Sequence, residues 1–200
     1  MAKFRKNAVT LPEKAKAVVE LFGGLDRSIG LFQAGSGLYC KFGCGQCCLK
    51  PDIEATVLEF LPFALDAYRS GKAEKWLERA RTGGSVCIIL DLGQSGAGLC
   101  SSYSTRGLIC RLFGYSARLN KRGERELVTC SVIKSEQSAA YHPAAAAVTA
   151  RELDIPVMSE YYMRLYAIDP EMSRDRLPIN KALVKSLEWV MHYFSYRTAE

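Results

Sequence analysis

Apolar residues first recur with helical spacing just after the N-terminus. Val18, Phe22, Leu25, Ile29 and Phe32 follow one another in alternating steps of four and three. That spacing lines up one face of an amphipathic helix, starting near Leu11–Pro12. Gly23 and Gly24 fall in its middle and predict a weak point or kink, because glycine is the costliest ordinary residue in a helix interior. Gly35, Gly37 and a run of cysteines then end the pattern. A second helix is predicted after Pro51, with Asp52 as its cap and Ile53, Val57, Phe60 and Ala64 on its face. Pro62 predicts a break inside it, and Gly71 its end. Ala73–Arg81 reads as a short helix carrying Trp76 and Leu77.

The period then changes. Val86 to Leu90, with Cys87 second, reads as a short buried strand, followed by a glycine-rich loop at 93–98 that leads to Cys100. Residues 112–119 and 126–133 read as a hairpin turned by Asn120–Gly123, with Cys130 in its second strand. The last third returns to helical spacing. Pro143–Glu152 is rich in alanine. Met158, Tyr162 and Leu165 share one face, and Leu183, Leu187, Val190 and Phe194 another, with Asn180 as a helix cap. Tyr161, Tyr162, Tyr166, Trp189, Tyr193, Phe194 and Tyr196 make this part aromatic, and we read the stripe as core in preference to a partner surface. The fold class expected is α+β: one mostly helical domain over residues 1–200 with a small antiparallel sheet or hairpin. Its cysteine-cluster core spans about 40–130, its helical C-terminal part 134–200, and its cysteines sit in loops.

Length and composition change this picture little. The 200 residues are 48% apolar and 24% charged, enough to build a core without covalent staples. No apolar run approaches membrane-spanning length, and Asn7–Lys16 has no signal-peptide core. The expected setting is therefore cytoplasmic, where lasting disulfides are rare. Eight cysteines then call for another explanation, and metal thiolates are the usual one. The net charge of +6 is uneven. Residues 1–50 hold 8 basic against 3 acidic side chains, and residues 101–150 hold 7 against 3. Lys41, Lys50, Arg106 and Arg111 are thus placed to offset thiolate charge. No dense basic stripe interleaved with aromatics points to nucleic acid. An unknown protein partner stays open, and the sequence does not set the oligomeric state.

The densest signal is Cys40-Lys-Phe-Gly-Cys44-Gly-Gln-Cys47-Cys48. Steps of two to four residues let sulfurs converge on one centre, and Gly43 and Gly45 allow the tight backbone this needs. Cys47 and Cys48 are adjacent, and neighbours in extended chain point apart, so they serve either different metals or different irons of one cluster. Cys87, Cys100, Cys110 and Cys130 are dispersed. Buried thiols are common, so each also has a plain reading as core, strongest for Cys87 and Cys130. His142 and His192 read as structural or surface residues. With so few histidines, metal-assisted hydrolysis has little support. All-sulfur donors suit zinc or an iron–sulfur cluster, and eight of them fill two four-sulfur sites or one cluster with spares.

Cys40-x3-Cys44-x2-Cys47-Cys48, Cys87 in an apolar segment, and Cys100-x2-Tyr103-x2-Arg106-x3-Cys110 together resemble the CxxCxxCC, or YkgJ-type, cysteine-cluster family. The resemblance covers about Cys40 to Cys130. It implies chelation of zinc or iron, with members often labelled iron–sulfur proteins, and it supplies no reaction. Some proteins with similar cysteine patterns modify other proteins, flagellin lysine methylation among them. Two departures stand out. The first spacing is three residues where the family name has two, and Gly107 follows Arg106 where the family usually has proline. The resemblance makes all eight cysteines candidate metal ligands, with Arg106, Arg111 and Tyr103 beside them. From the naming of its members, the resemblance implies that the group held is an iron–sulfur cluster in a redox, regulatory or protein-modification role. The alternative is zinc in a structural, protein-interacting module.

Overall fold

The computed structural model describes residues 9–41, 43–92 and 98–196. Helix α1 spans Leu11–Ser36. The Thr10 hydroxyl accepts from the Glu13 N–H (3.4 Å), and the Glu13 carboxylate accepts from the Thr10 N–H (2.7 Å), a reciprocal cap. Gly37, at φ 69°, ends the helix by donating to the Gln33 carbonyl. The predicted face is buried, from Leu11 and Ala15 through Val18, Phe22, Leu25 and Ile29 to Phe32. Gly23 and Gly24 do not interrupt it. Each costs about 1 kcal/mol, whereas each large apolar side chain on the buried face returns about 1.5–3 kcal/mol.

The second helix starts later than predicted. Glu54–Ala55 forms β1, which pairs with β6 near the C-terminus, and the Ile53 carbonyl accepts from the Ile179 N–H (2.8 Å). A 3₁₀ turn at Leu58–Phe60 then leads into α2, Leu61–Arg69. Pro62 therefore opens a helix where the sequence predicted a break inside one. In the first turn its missing N–H has no partner to lose. Helix α3 spans Ala73–Thr82. The apolar segment around Cys87 is buried as expected, but only its end is extended. Cys87 to Ile89 form a turn closed by Leu90 N–H on the Cys87 carbonyl (3.0 Å), and β2 is Leu90–Leu92. Most of the glycine-rich loop at 93–98 lies outside the described residues. Gly98–Cys100 is β3, antiparallel to β2, with Cys100 opposite Leu90.

Helix α4 is the short Leu108–Leu112. The predicted hairpin follows in trimmed form: β4 is Ser116–Leu119 and β5 is Arg125–Val128, with Ser116 opposite Val128. Cys130 falls outside the strand and caps α5, Ser131–Glu136, where its sulfur accepts from the Ile133 N–H (3.4 Å). Helix α6, Ser138–Thr149, begins before Pro143 and encloses it, so His142 sits inside a helix and not at its start. Helices α7 (Met158–Ile168) and α8 (Pro170–Ser173) precede β6 (Leu177–Pro178) and α9 (Ile179–Ser195).

The protein is mostly helical α+β, its strands paired in two-stranded antiparallel ladders. Helix α2 packs against both α1 and α9. Of the aromatic stripe, Tyr161 is buried and Phe194 stacks on Tyr68 (4.7 Å), while Trp189, Tyr166 and Tyr196 are exposed. No helix among the described residues is long and apolar enough to cross a membrane.

Candidate metal centre

The cysteine loop leaves α1 and folds back on itself. Gly43 and Gly45 take positive φ (71° and 58°), where a side chain would be strained. The Cys44 N–H donates to the Lys41 carbonyl (3.2 Å), and Cys48 N–H to the Gly45 carbonyl (2.9 Å). Gln46–Leu49 is a 3₁₀ turn, not extended chain. Cys47 and Cys48 therefore do not point apart, and their sulfurs lie 4.0 Å from each other. The loop is tied to α5. Tyr39 N–H donates to Gln137 Oε1 (3.0 Å), Gln137 Nε2 donates to the Tyr39 carbonyl (2.6 Å), and Lys41 pairs with Glu136.

The dispersed cysteines arrive from other elements. Cys87 stands in a segment clamped by Asn180. Asn180 Oδ1 accepts from the Ile88 N–H (3.0 Å), while Nδ2 donates to the carbonyls of Val86 (2.9 Å) and Gly84 (3.1 Å). Asn180 thus makes no helix cap, the role predicted for it; no side chain caps α9. Cys100 ends β3, Cys110 lies on α4 and Cys130 opens α5. All eight cysteines line one cavity of about 380 Å³, and Tyr103, Arg106 and Arg111 line it too. His142 and His192 are not among its walls. All eight are free thiols, Cys40 exposed, Cys87 buried and the rest between. Among the described residues, no three side chains of ligand type already stand close enough to grip a single ion. The sulfurs ring a space; they do not meet at a point.

Charge is arranged unevenly around that space. Arg111 is almost wholly buried. It pairs with Asp26, donates to the carbonyls of Ser104 (2.6 Å) and Arg106 (3.2 Å), and lies over the Phe22 ring (4.6 Å). Much of its charge is already answered. Arg106 stacks on Tyr103 (4.0 Å), and its buried Nε has no hydrogen-bond partner. A donor of this kind on a thiol-lined wall fits an anionic, sulfur-ligated group. The thiols differ in readiness. A hydrogen bond from Cys48 holds the Cys47 thiol down at about 6, and the same bond, together with burial, pushes Cys48 up. Burial also pushes up Cys87, Cys100 and, most of all, Cys110. Burial and the neighbouring thiols raise Cys40, with Arg106 opposing them.

The sequence reading overlooked Glu59. It is fully buried, and it accepts from the N–H of Thr56 (2.6 Å), the Thr56 hydroxyl (3.0 Å) and the N–H of Ile109 (2.8 Å), the residue before Cys110. Its one visible signal was a lone carboxylate in the apolar run Val57-Leu-Glu-Phe-Leu-Pro-Phe63. Glu59 also explains Gly107. A Cβ there would meet Glu59 Oε2 at 2.8 Å and the Phe60 ring at 2.8 Å. Gly107 keeps a φ of −64°, the value proline would impose, so the turn is set by this close approach and is not loosened by losing proline.

Searches of curated proteins and of solved structures return no match. Residues 39–137 match the family described as CxxCxxCC, putative zinc- or iron-chelating domain, a span that contains all eight cysteines. The chain belongs to the CxxCxxCC family, and the metal binding that defines it fits the cavity its thiols enclose.

Proposed function

We propose that the chain holds iron in a cysteine-ligated iron–sulfur cluster and serves a redox, regulatory or protein-modification role. The observation that carries this reading is the size of the space the thiols share. A four-thiolate zinc site closes to about 2.3 Å around its ion and leaves no room between sulfurs. The cavity here, at about 380 Å³, equals roughly a dozen water volumes. A polynuclear group fills such a space while bonding to sulfurs on several walls. The elements that bring those sulfurs are separately anchored, so the pocket wall is held apart by the fold.

Bound there, a cluster supplies a one-electron couple. The protein's own part is to set its surroundings. Arg106 brings positive charge and a spare donor to the wall, and the Ile133 N–H already donates to the Cys130 sulfur. Both favour added electron density on the group. Cys40 lies exposed at the mouth. The zinc reading has one observation in its favour: the 4.0 Å between the Cys47 and Cys48 sulfurs is close to the roughly 3.8 Å edge of a tetrahedral thiolate site. Iron, acid-labile sulfide and zinc measured on protein purified without oxygen, with a visible spectrum, decide between them. Iron with matching sulfide and a brown colour is expected. Zinc without sulfide would overturn the proposal.

A further inference from the structure

Resting on that reading, we infer that the cavity holds two four-thiolate centres, an outer one on Cys40, Cys44, Cys47 and Cys130 and an inner one on Cys48, Cys87, Cys100 and Cys110. The division follows the anchorage of each sulfur. The outer set belongs to one mechanical unit. Tyr39 and Lys41 flank Cys40, and they are fastened to Gln137 and Glu136 at the end of α5, the helix that Cys130 caps. Cys44 and Cys47 lie on the same loop, between its two left-handed glycines and its 3₁₀ turn.

The inner set is fixed from within. The β2–β3 register sets Cys100 opposite Leu90, three residues after Cys87, and Ser101 N–H and Oγ both reach the Ile89 carbonyl. Asn180 holds the Cys87 segment from α9, and Glu59 holds the start of α4, which carries Cys110. Cys87 is part of the hydrophobic core, and Cys48, Cys100 and Cys110 pack directly on it. Cys40, Cys44 and Cys47 do not; Cys130 touches the core while serving the rim. A second cavity of about 50 Å³ is lined by Cys47, Cys48 and Cys110, which also line the large one.

The adjacent pair is where the two sets meet. Both lie on the same 3₁₀ turn, and of the two only Cys48 packs on the hydrophobic core. At 4.0 Å their sulfurs are near enough for the two centres to interact directly.

The test is metal and sulfide content of the full chain, purified without oxygen, for wild type, C44S, C130S, C100S and C110S. Each single substitution is expected to remove about half of the metal and leave the optical and paramagnetic signature of the other centre. C44S and C130S combined should lose no more than either alone. Loss of all metal from an outer-set variant, or further loss on combining C44S with C130S, would overturn the division. Two zinc ions per chain without sulfide would overturn the iron–sulfur reading and leave the division standing. Metal-free wild type would overturn both. If the inner variants fail to fold, wild type itself answers. Chelator should release metal in two phases, with Cys40, Cys44, Cys47 and Cys130 becoming alkylatable before the other four by peptide mass spectrometry. Simultaneous exposure of all eight would sink the proposal.

Discussion

Asn180 offers the sharpest test of how the C-terminal helix serves the cysteine core. Its amide answers three backbone groups of the segment around Cys87, from more than ninety residues away. In N180A the bond to the exposed Gly84 carbonyl is replaced by water at little cost. The half-buried bonds to Val86 and Ile88 are worth about 1 kcal/mol each, and leaving the Ile88 N–H unpaired beside a buried side chain costs about 1–3 kcal/mol more where water does not reach it. The expected loss is about 2–5 kcal/mol, read as a shift in the urea midpoint of the metal-free protein with an unchanged slope. For a chain of this size that corresponds to roughly 4–20 °C in Tm. N180D is the more telling variant. A carboxylate still accepts from Ile88, but it sets its second oxygen against two carbonyls, so it should cost at least as much as alanine. Both variants should also bind less metal, since Cys87 loses its clamp. An N180A midpoint within about 0.5 kcal/mol of wild type, with full metal content, would refute the reasoning.

Other outcomes follow from the same contacts. G107A should destabilise by about 1–3 kcal/mol, the usual cost of overpacking, because its Cβ meets the pinned Glu59 and the buried Phe60 ring; a urea midpoint like wild type would show that the turn yields freely. R111K keeps the charge but loses the planar fork that reaches Asp26 and two carbonyls together, so a Tm drop worth about 2–3 kcal/mol is expected. Metal loading should steepen with pH. Cys48, Cys87, Cys100 and Cys110 are all raised above the ordinary thiol range, so a metal must displace their protons, and affinity climbs as pH rises toward those values, by up to about tenfold per proton per pH unit. A flat competition titration between pH 6 and 8 would contradict this. In R106M the loading curve should move to higher pH, because the cation that lowers Cys40, Cys47 and Cys100 is gone; an unmoved curve would remove Arg106 from the site's electrostatics.

Much of this protein is written locally. The spacing from Val18 to Phe32 suffices for α1, because one buried face outweighs two glycines. The turn residues Asn120–Gly123 suffice for the hairpin, and four cysteines in nine residues suffice to mark a metal-binding chain. These features depend on neighbours within a turn or two, which a linear pattern records. Where the pattern misled, a distant partner had intervened. Ile53–Ala55 has helical spacing but pairs with β6, the Cys87 segment has strand composition but is bent to meet Asn180, and Cys130 leaves its strand to cap α5. Only the tertiary structure brings the eight thiols around one space, leaves the Arg106 Nε unpaired beside them, and hides Glu59 under the helix of Cys110. A buried group's partner is chosen by which surfaces the core forces together, and no spacing along the chain records that choice.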